Sequence, residues 1–372
     1  MAAGQKRRMG GRIVTGAIAL AALLCFLAWA VAHGPVRGGP ALEDRLVIYS
    51  ATDEQEALEL LRAFRAAHPQ VRLDYRSLRA AEVYRRFRAE ADRGVAQADI
   101  ILNSAMDLQI KLVNDGYAQP YVSVEREALP DWAVWKNEAY AVSSEPIVFG
   151  YNARLLPPAL VPRTHDEFAT ALHSNADMLK ARVGSYDPLR SPTGYLYVTQ
   201  DIRIDSDSWD LIGALGRVRP RLFVSSKEMI DEIARGRLLL GYNLIGSYAF
   251  ERAARDPDFR VVVPQDYVLM MSRVAIIARN APHPNTARQF LDFMLSRDGQ
   301  AILARHNMTP VRTDMPGGTA PFEGTTIRAV RVGPALMASI DRLTFDKFRD
   351  KWLAATSGRL DLTPTSDIAF EE

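Results

Sequence analysis

Small hydroxyl and amide side chains cluster in four turns that precede predicted helices. The turns are residues 50–53 (SATD), 103–105 (NSA), 191–194 (SPTG) and 243–247 (NLIGS). The first turn of a helix has free backbone N–H groups and the positive end of the helix dipole, so it stabilises a negative charge. Since ligands of open α/β sheets bind beyond the carboxyl ends of strands, the turns predict an anion site. The alternative is that these residues are helix N-caps, which serve stability alone.

The predicted pocket also contains tyrosines and candidate cations. Tyr195 and Tyr242 are expected to pack against a solute and to offer a hydroxyl, with the edge of the core as the alternative position. Arg190 and Arg273 are the candidate partners for a carboxylate or phosphate, which arginine binds through paired hydrogen bonds; an exposed surface is the alternative. A solvated helix face is expected for Arg79, Arg85, Arg86 and Arg88. The residues predicted to bind the ligand are Ser50, Thr52, Asp53, Ser104, Ser191, Thr193, Gly194, Tyr195, Tyr242, Asn243 and Ser247.

The sequence lacks the patterns that indicate catalysis or a bound metal. Cys25 is the single cysteine, which excludes a disulfide within the chain and a cysteine metal site. The histidines after residue 32 share no metal-ligand spacing. No nucleophile elbow, zinc motif, P-loop or dinucleotide-binding glycine motif is present. We therefore predict a binding protein that needs no cofactor and is not an enzyme.

Length and composition are those of an ordinary folded protein. The 372 residues favour two domains. With 48% hydrophobic and 24% charged residues, a disordered, collagen-like or coiled-coil chain is excluded. The 46 Lys and Arg residues nearly balance the 44 Asp and Glu residues, so charge gives no reason to expect nucleic-acid binding.

The N-terminal residues predict export. Four basic residues lie within residues 1–12, and residues 13–32 carry no charge, which is typical of a signal peptide or a membrane anchor. Cleavage is expected after Ala32, with residues 33–41 as a leader; uncleaved, the apolar stretch reaches the roughly 20 residues that span a bilayer. In both cases the folded part is expected in the periplasm.

Predicted strands and helices alternate from residue 45 onward. Short β-branched runs such as RLVIYS (45–50) and DIIL (99–102) are followed by amphipathic helical patterns. This alternation predicts an α/β fold in which helices cover a parallel sheet. The predicted helices include 53–68, 80–93, 106–114, 165–181, 226–235, 245–255, 284–306 and 334–356, and residues 316–322 are predicted to form a loop.

Five segments together resemble the periplasmic solute-binding proteins of bacterial ABC importers. The segments are 98–121, 143–152, 191–195, 240–253 and 261–300. The last segment, which ends in FLDFMLSRDGQ, is the most specific. The resemblance covers most of the chain from residue 45 to residue 315. It is strongest to the cluster that holds the ferric-iron, thiamine, aminoethylphosphonate and phosphoglycerate-type binding proteins.

The resemblance implies a two-lobed fold of the type II-like periplasmic-binding-protein class, with two hinge strands and a ligand between the lobes. The first lobe would comprise residues 42–143 and 268–372, the second 146–265, with crossings near 143–146 and 264–266. Such a protein would capture a small organic solute, here expected to be anionic, and deliver it to an ABC permease in the inner membrane. The alternative is the same fold as the ligand-sensing input of a membrane histidine kinase.

Ferric iron is the less favoured ligand. Ferric members of the resembling cluster use two adjacent tyrosines, usually with a histidine and a glutamate. In this chain Tyr242 and Tyr248 are six positions apart, and the first-strand turn has Asp53 and no histidine. Because Fe³⁺ needs charged oxygen ligands such as phenolates, we assign no metal ligands.

Overall fold

The computed structural model describes residues 41–315 and 324–356. The predicted signal peptide or anchor (1–32), residues 33–40 of the predicted leader and the predicted loop 316–322 lie outside the described residues. No helix within the described residues has the length and apolar character that a membrane span requires.

Strands and helices alternate over most of the described chain. The strands are β1 (Arg45–Ser50), β2 (Arg72–Ser77), β3 (Ile100–Asn103), β4 (Val134–Trp135), β5 (Ala139–Ala141), β6 (Glu145–Asn152), β7 (Val183–Tyr186), β8 (Arg221–Phe223), β9 (Leu240–Ile245), β10 (Phe259–Val262), β11 (Tyr267–Met271), β12 (Val274–Ile277) and β13 (Thr326–Ala329). The α-helices are α1 (Glu54–Ala67), α2 (Ala80–Asp92), α3 (Met106–Asn114), α4 (His165–Ser174), α5 (Ala176–Leu179), α6 (Pro192–Ile204), α7 (Ser208–Val218), α8 (Ser226–Ala234), α9 (Gly246–Arg255), α10 (Pro284–Leu295), α11 (Arg297–Arg305), α12 (Met337–Ile340) and α13 (Arg342–Thr356). Short 3₁₀ helices lie at Arg126–Ala128, Asp131–Ala133, Pro158–Leu160 and Pro334–Leu336.

The first sheet has six strands in the order β2-β1-β3-β12-β5-β4. β1 is parallel to both β2 and β3, so that Tyr49 lies between Arg76 and Ile101. β12 runs antiparallel between β3 and β5. Helices α1, α2, α3, α10 and α11 pack on this sheet or on one another, and with it they form the first lobe.

The second sheet has seven strands in the order β13-β11-β6-β9-β7-β8, with β10 paired to β6. β7 is parallel to β8 and β9, whereas β6 is antiparallel to β9 and β11. Helices α4 to α9 complete this second lobe. Both sheets are therefore mixed and not purely parallel, because the strands that carry the chain between the lobes run against their neighbours.

Helix α1 is held in place by an apolar face that the sequence pattern predicts. Ala57, Leu60, Leu61 and Phe64 recur at helical spacing and are buried. Burying a side chain the size of leucine or phenylalanine contributes about 1.5–3 kcal/mol, and the ring of Phe64 meets Phe290 at 5.0 Å. This packing holds the N-terminus of α1 directly beyond the end of β1.

Two short connections carry the chain directly from a strand of one sheet to a strand of the other. Residues 142–144 connect β5 to β6, and Ser272 and Arg273 connect β11 to β12. The prediction put the second crossing at 264–266. β11 lies after that point, yet it stays in the second sheet because it pairs with β6, opposite Pro146, and with β13.

The last described part of the chain contacts both lobes. β13 pairs with β11 of the second sheet, and the Val332 N–H then donates to the Trp132 carbonyl at 2.8 Å, beside β4 of the first sheet. α12 packs on α3 of the first lobe, and α13 packs on α7 of the second. The prediction assigned this whole region to the first lobe. α13 lies on the second because its aromatic residues pack with Tyr195 in one apolar cluster: Phe345, Phe348 and Trp352.

Candidate ligand-binding cleft

A cavity of about 480 Å³ lies between the two lobes. Its first-lobe wall consists of the turns after β1, β2 and β3, and its second-lobe wall includes the N-termini of α6 and α8. The volume falls in the range of about 300–1,000 Å³ that is usual for small-molecule sites. We call it the cleft cavity; the residues that line it include Asp53, Ser104, Tyr186, Thr193, Lys227 and Tyr248.

Side chains from the two lobes meet across the cleft cavity. The hydroxyls of Ser104 and Thr193 are 3.3 Å apart, and both residues are buried. The Lys227 ammonium lies 3.7 Å from the Asp53 carboxylate, where both side chains are partly exposed. A partly exposed ion pair contributes at most about 1 kcal/mol, so closure of the lobes does not depend on this pair alone.

The turn at residues 191–194 is built as the start of α6. The Ser191 hydroxyl accepts the Gly194 N–H at 3.1 Å, and Pro192 occupies the first helical position, where no N–H is needed. A Cβ on Gly194 would lie 2.4 Å from the Cβ of Tyr186, so a residue without a side chain is required against β7. This close packing holds Thr193 at the cleft cavity.

The turn before α8 also lines the cleft cavity, and the sequence prediction missed it. Ser225 caps α8. The Ser226 hydroxyl lies 2.7 Å from the Tyr186 hydroxyl and accepts the Ile245 N–H at 2.8 Å. The signal was present in RLFVSSKE (221–228), a short strand followed by two serines. Because β8 was not predicted, its turn was not considered.

A buried ion pair behind Tyr248 connects the two crossings. Arg273 donates to both carboxylate oxygens of Glu145, at 2.8 and 3.1 Å, and to the Thr52 hydroxyl at 2.7 Å. Its backbone N–H donates to the Ser143 hydroxyl. Burial would lower the pKa of the Arg273 guanidinium, but the Glu145 carboxylate raises it above its ordinary value. Because Glu145 neutralises it, Arg273 does not supply the free positive charge that was expected of it.

Three of the predicted ligand-binding residues lie in the core and do not line the cleft cavity. Tyr195 donates its hydroxyl to the Ser339 carbonyl. Tyr242 and Asn243 both donate to one carboxylate oxygen of Asp201, each at 2.8 Å. Asn243 has a left-handed backbone conformation with φ of 60°. In this conformation its side-chain amide reaches the Asp201 carboxylate that also accepts the Tyr242 hydroxyl. These side chains stabilise α6 and β9, the elements that hold the second-lobe wall.

The other predicted residues lie at the cleft cavity or support it. Asp53, Ser104 and Thr193 line the cavity. Ser50 and Thr52 are buried in the β1 turn, where the Ser50 hydroxyl accepts the Thr52 N–H at 3.0 Å. The remaining supports are Gly194, packed on Tyr186, and Ser247, which donates to Glu145.

A second pocket, of about 130 Å³, adjoins the cleft cavity and shares lining residues with it. Arg79, Arg85, Arg190 and Ser191 line it together with Glu82, and we call it the arginine pocket. Arg79 and Arg85 are exposed, as expected of a solvated helix face. The sequence could not indicate that this face meets the start of α6.

Metal-ligating side chains are not grouped within residues 41–315 and 324–356. The phenols of Tyr242 and Tyr248 have different surroundings, since one donates to Asp201 and the other lies within 3.4 Å of the Arg273 guanidinium. The two rings therefore do not form a tyrosine pair.

Comparison with known proteins identifies the family. The family model of bacterial extracellular solute-binding proteins matches residues 46–309. The chain belongs to this family. The substrate-binding protein of an ABC transporter from Agrobacterium tumefaciens is 34% identical, with a TM-score of 0.81, 87% of this chain covered and 97% of that chain. No curated protein matches the chain.

More distant solved structures share the fold of this solute-binding protein. Iron-bound HitA from Pseudomonas aeruginosa is 16% identical, with a TM-score of 0.67, and the match covers 83% of this chain and 99% of that one. AfuA from Actinobacillus pleuropneumoniae, with fructose-6-phosphate bound, is 18% identical, with a TM-score of 0.65 and coverages of 84% and 99%. The resemblance inferred from the sequence is thus confirmed: the chain is an extracytoplasmic solute-binding protein of the ABC type with a two-lobed fold, and it is not an enzyme.

Proposed function

We propose that this solute-binding protein captures a small anionic organic solute in the cleft cavity and delivers it to an ABC permease from the periplasm. The observation that carries the proposal is the cleft cavity itself, which is lined by both lobes and by the first turns of helices from each. Free N–H groups at those turns stabilise negative charge. A solute that touches both walls would also favour the closed arrangement of the lobes.

The charged side chains around the cleft cavity indicate which end of it would hold the acidic group of the solute. Asp53 is paired with Lys227, and Asp231 is paired with Arg252. Glu82 and Glu228 have no ion-pair partner within the described residues, but Glu82 shares the arginine pocket with three arginines, whereas Glu228 does not line that pocket. The acidic group of the solute is therefore expected away from Glu228, at the end that adjoins the arginine pocket. Its uncharged polar part would then lie near Ser104, Thr193 and Tyr186.

A thermal-shift screen of the purified protein tests the ligand class. The compounds are phosphonates, phosphoglycerate-type acids, polycarboxylates and thiamine phosphate, with neutral and cationic analogues as controls. A ligand present at about 100 times its Kd adds roughly 2.7 kcal/mol of stability, and we expect acidic compounds to give the shift. Stabilisation by neutral or cationic compounds alone would refute the anionic solute.

Uptake measurements test delivery. Cells that lack the gene should import the radiolabelled solute found in the screen more slowly than the parent strain, and expression of the full chain should restore the rate. Equal uptake by both strains would contradict a transport role.

A further inference from the structure

We infer that the arginine pocket binds a dianionic phosphoryl group, so that the solute is a phosphate monoester or a phosphonate. This inference rests on the proposed function, because it names the chemistry of the acidic group. It assigns binding roles to Arg79, Arg85 and Arg190, which come from two lobes. Arg79 precedes α2 and Arg85 lies in its second turn, whereas Arg190 precedes α6.

The three arginines differ from their neighbours because their guanidiniums form no ion pair within the described residues, although Arg190 lies near the buried Asp187 carboxyl, whose pKa is raised by burial and lowered by Arg190. On the same helix, Arg86 is paired with Glu90 at 3.1 Å, and Arg88 is paired with Asp92 at 3.6 Å. None of the guanidiniums of Arg79, Arg85 and Arg190 has a hydrogen bond or an ion pair within the described part of the chain. Three like charges that converge on one small pocket repel one another unless an anion binds between them.

The charge of the pocket matches a dianion. Glu82 is the acidic residue that lines it, so three guanidiniums against one carboxylate leave a formal charge of +2. A phosphate monoester carries a charge near −2 above its second pKa of about 6. A carboxylate or a sulfate ester carries −1 and would leave the pocket positive.

The donors of the pocket match three acceptor oxygens. Each guanidinium has five N–H donors in a planar fork that binds phosphate oxygens in pairs. The α6 N-terminus lies beside them, where the Ser191 hydroxyl is engaged by the Gly194 N–H and so fixes the turn. A phosphoryl group offers an oxygen to each arginine, whereas a carboxylate has only two oxygens.

The test uses four probes of similar size that differ in charge or in linkage: ethyl phosphate, propylphosphonate, ethyl sulfate and propanesulfonate. Titration calorimetry of the full mature protein at pH 8 should show that the phosphoryl probes bind at least about tenfold more tightly than the sulfur probes. The ratio of ethyl phosphate to propylphosphonate then distinguishes an ester from a phosphonate as the natural chemistry.

Single substitutions test whether the preference for phosphoryl groups arises in the arginine pocket. Arg85→Gln and Arg190→Gln should each weaken ethyl phosphate binding at least about fivefold and reduce its advantage over ethyl sulfate. Glu82→Gln removes a negative charge from the pocket, so it should strengthen binding of both anions. Arg88→Gln, on the same helix but outside the pocket, is the matched control and should change each Kd by less than about twofold.

Each outcome is decisive. Equal affinity for phosphoryl and sulfur probes, or unchanged binding by both arginine variants, overturns the inference. If the wild-type protein binds carboxylates from the screen but none of the phosphoryl probes, the inference fails while the anionic solute stands. If no anion binds, both fail.

Discussion

Ser191 and Thr193 are two positions apart in one turn, but their hydroxyls have different partners. Ser191 accepts the Gly194 N–H and caps α6. Thr193 lies 3.3 Å from Ser104 of the other lobe and lines the cleft cavity. One hydroxyl is therefore committed to the fold, whereas the other can exchange its partner for a ligand.

Substitution of these two residues should separate binding from stability. Thr193→Val keeps the shape and removes the hydroxyl, and we expect about fivefold weaker binding of the best compound from the screen, since a hydrogen bond to an uncharged polar group contributes about 1 kcal/mol. Ser191→Ala should lower the free energy of unfolding by about 1 kcal/mol. Calorimetry and urea denaturation measure the two effects, and normal binding by Thr193→Val would remove that residue from the site.

Ferric iron should not bind stoichiometrically. Tyr242 and Tyr248 lie in different surroundings, and burial raises the pKa of both phenols, which opposes the phenolate form that Fe³⁺ requires. Titration with a ferric salt should give no visible tyrosinate charge-transfer band. A band that saturates at one iron per protein would contradict this assignment.

Part of the candidate site could be predicted from single residues. Asp53, Ser104 and Thr193 follow the rule that ligands meet the turns before helices, and the structure brings all three to one cavity. Tyr195 and Tyr242 could not be placed in this way, because a position in an element does not show whether its side chain faces the cleft or the core. That choice depends on packing partners far away in the sequence, such as Ser339 for Tyr195.

At the scale of elements, periodicity predicted α1 and α3 well and overestimated three long helices. The predicted helix 334–356 is a 3₁₀ helix followed by α12 and α13, which are separated at Asp341. The predicted helix 284–306 is divided at Ser296, whose hydroxyl accepts the Gly299 N–H and begins α11. The predicted helix 165–181 is divided at Asn175. The apolar spacing continues across the breaks at Ser296 and Asn175. The break at Ser296 is therefore visible only from the hydrogen bond that the Ser296 hydroxyl accepts.

Three short strands were missed because pairing with strands far away in the sequence defines them: β5, β8 and β13. β4, which is two residues long, was missed because it forms only a short hairpin with β5.

Close packing of α6 on β7 makes Gly194 a sensitive position. In Gly194→Ala the new Cβ would meet Tyr186 at 2.4 Å, so we expect a loss of about 1–3 kcal/mol in the free energy of unfolding. Gly213, inside α7, has open space where a Cβ would be added, with no atom within 4 Å, and Gly213→Ala should stabilise by about 0.5–1 kcal/mol. Urea denaturation compares the two, and equal stability of both variants would contradict the packing.

At the scale of the whole molecule, one carboxyl from each lobe lines a shared pocket. Glu56 on α1 and Glu251 on α9 line one pocket of about 330 Å³. Burial, and then the hydrogen bond with Glu251, raise the pKa of Glu56 from its ordinary value near 4.5 to about 8. The same hydrogen bond lowers the pKa of Glu251. The pair therefore holds one proton at neutral pH, and it loses its hydrogen bond when that proton leaves.

This pair should make stability fall as the pH rises. A carboxyl whose pKa is raised in the folded state contributes its full stabilisation below about pH 4.5 and loses it as the pH approaches about 8. Without ligand, the free energy of unfolding should decrease by roughly 1 kcal/mol between pH 5 and pH 8, after allowance for solvent screening.

Variants of the pair check the assignment. Glu56→Gln should reduce this slope without abolishing it, because burial also raises the pKa of Asp107, to about 7. Glu54→Gln, in the same helical turn but exposed, should keep the slope. An unchanged slope in Glu56→Gln would show that Glu56 does not hold a proton in the folded state above its ordinary pKa.

The path of the last described residues has a mechanical consequence. After β13 the chain crosses from the second lobe to Trp132 and α3 of the first, and α13 then returns to α7 of the second. The lobes are thus linked by a strap in addition to their two crossings. Because this segment is attached to both lobes, it limits how far the lobes can move apart when the cleft opens. We therefore expect a proteolytic nick between residues 330 and 341 to widen the swing and to speed solute release, although it removes no residue from the cavity.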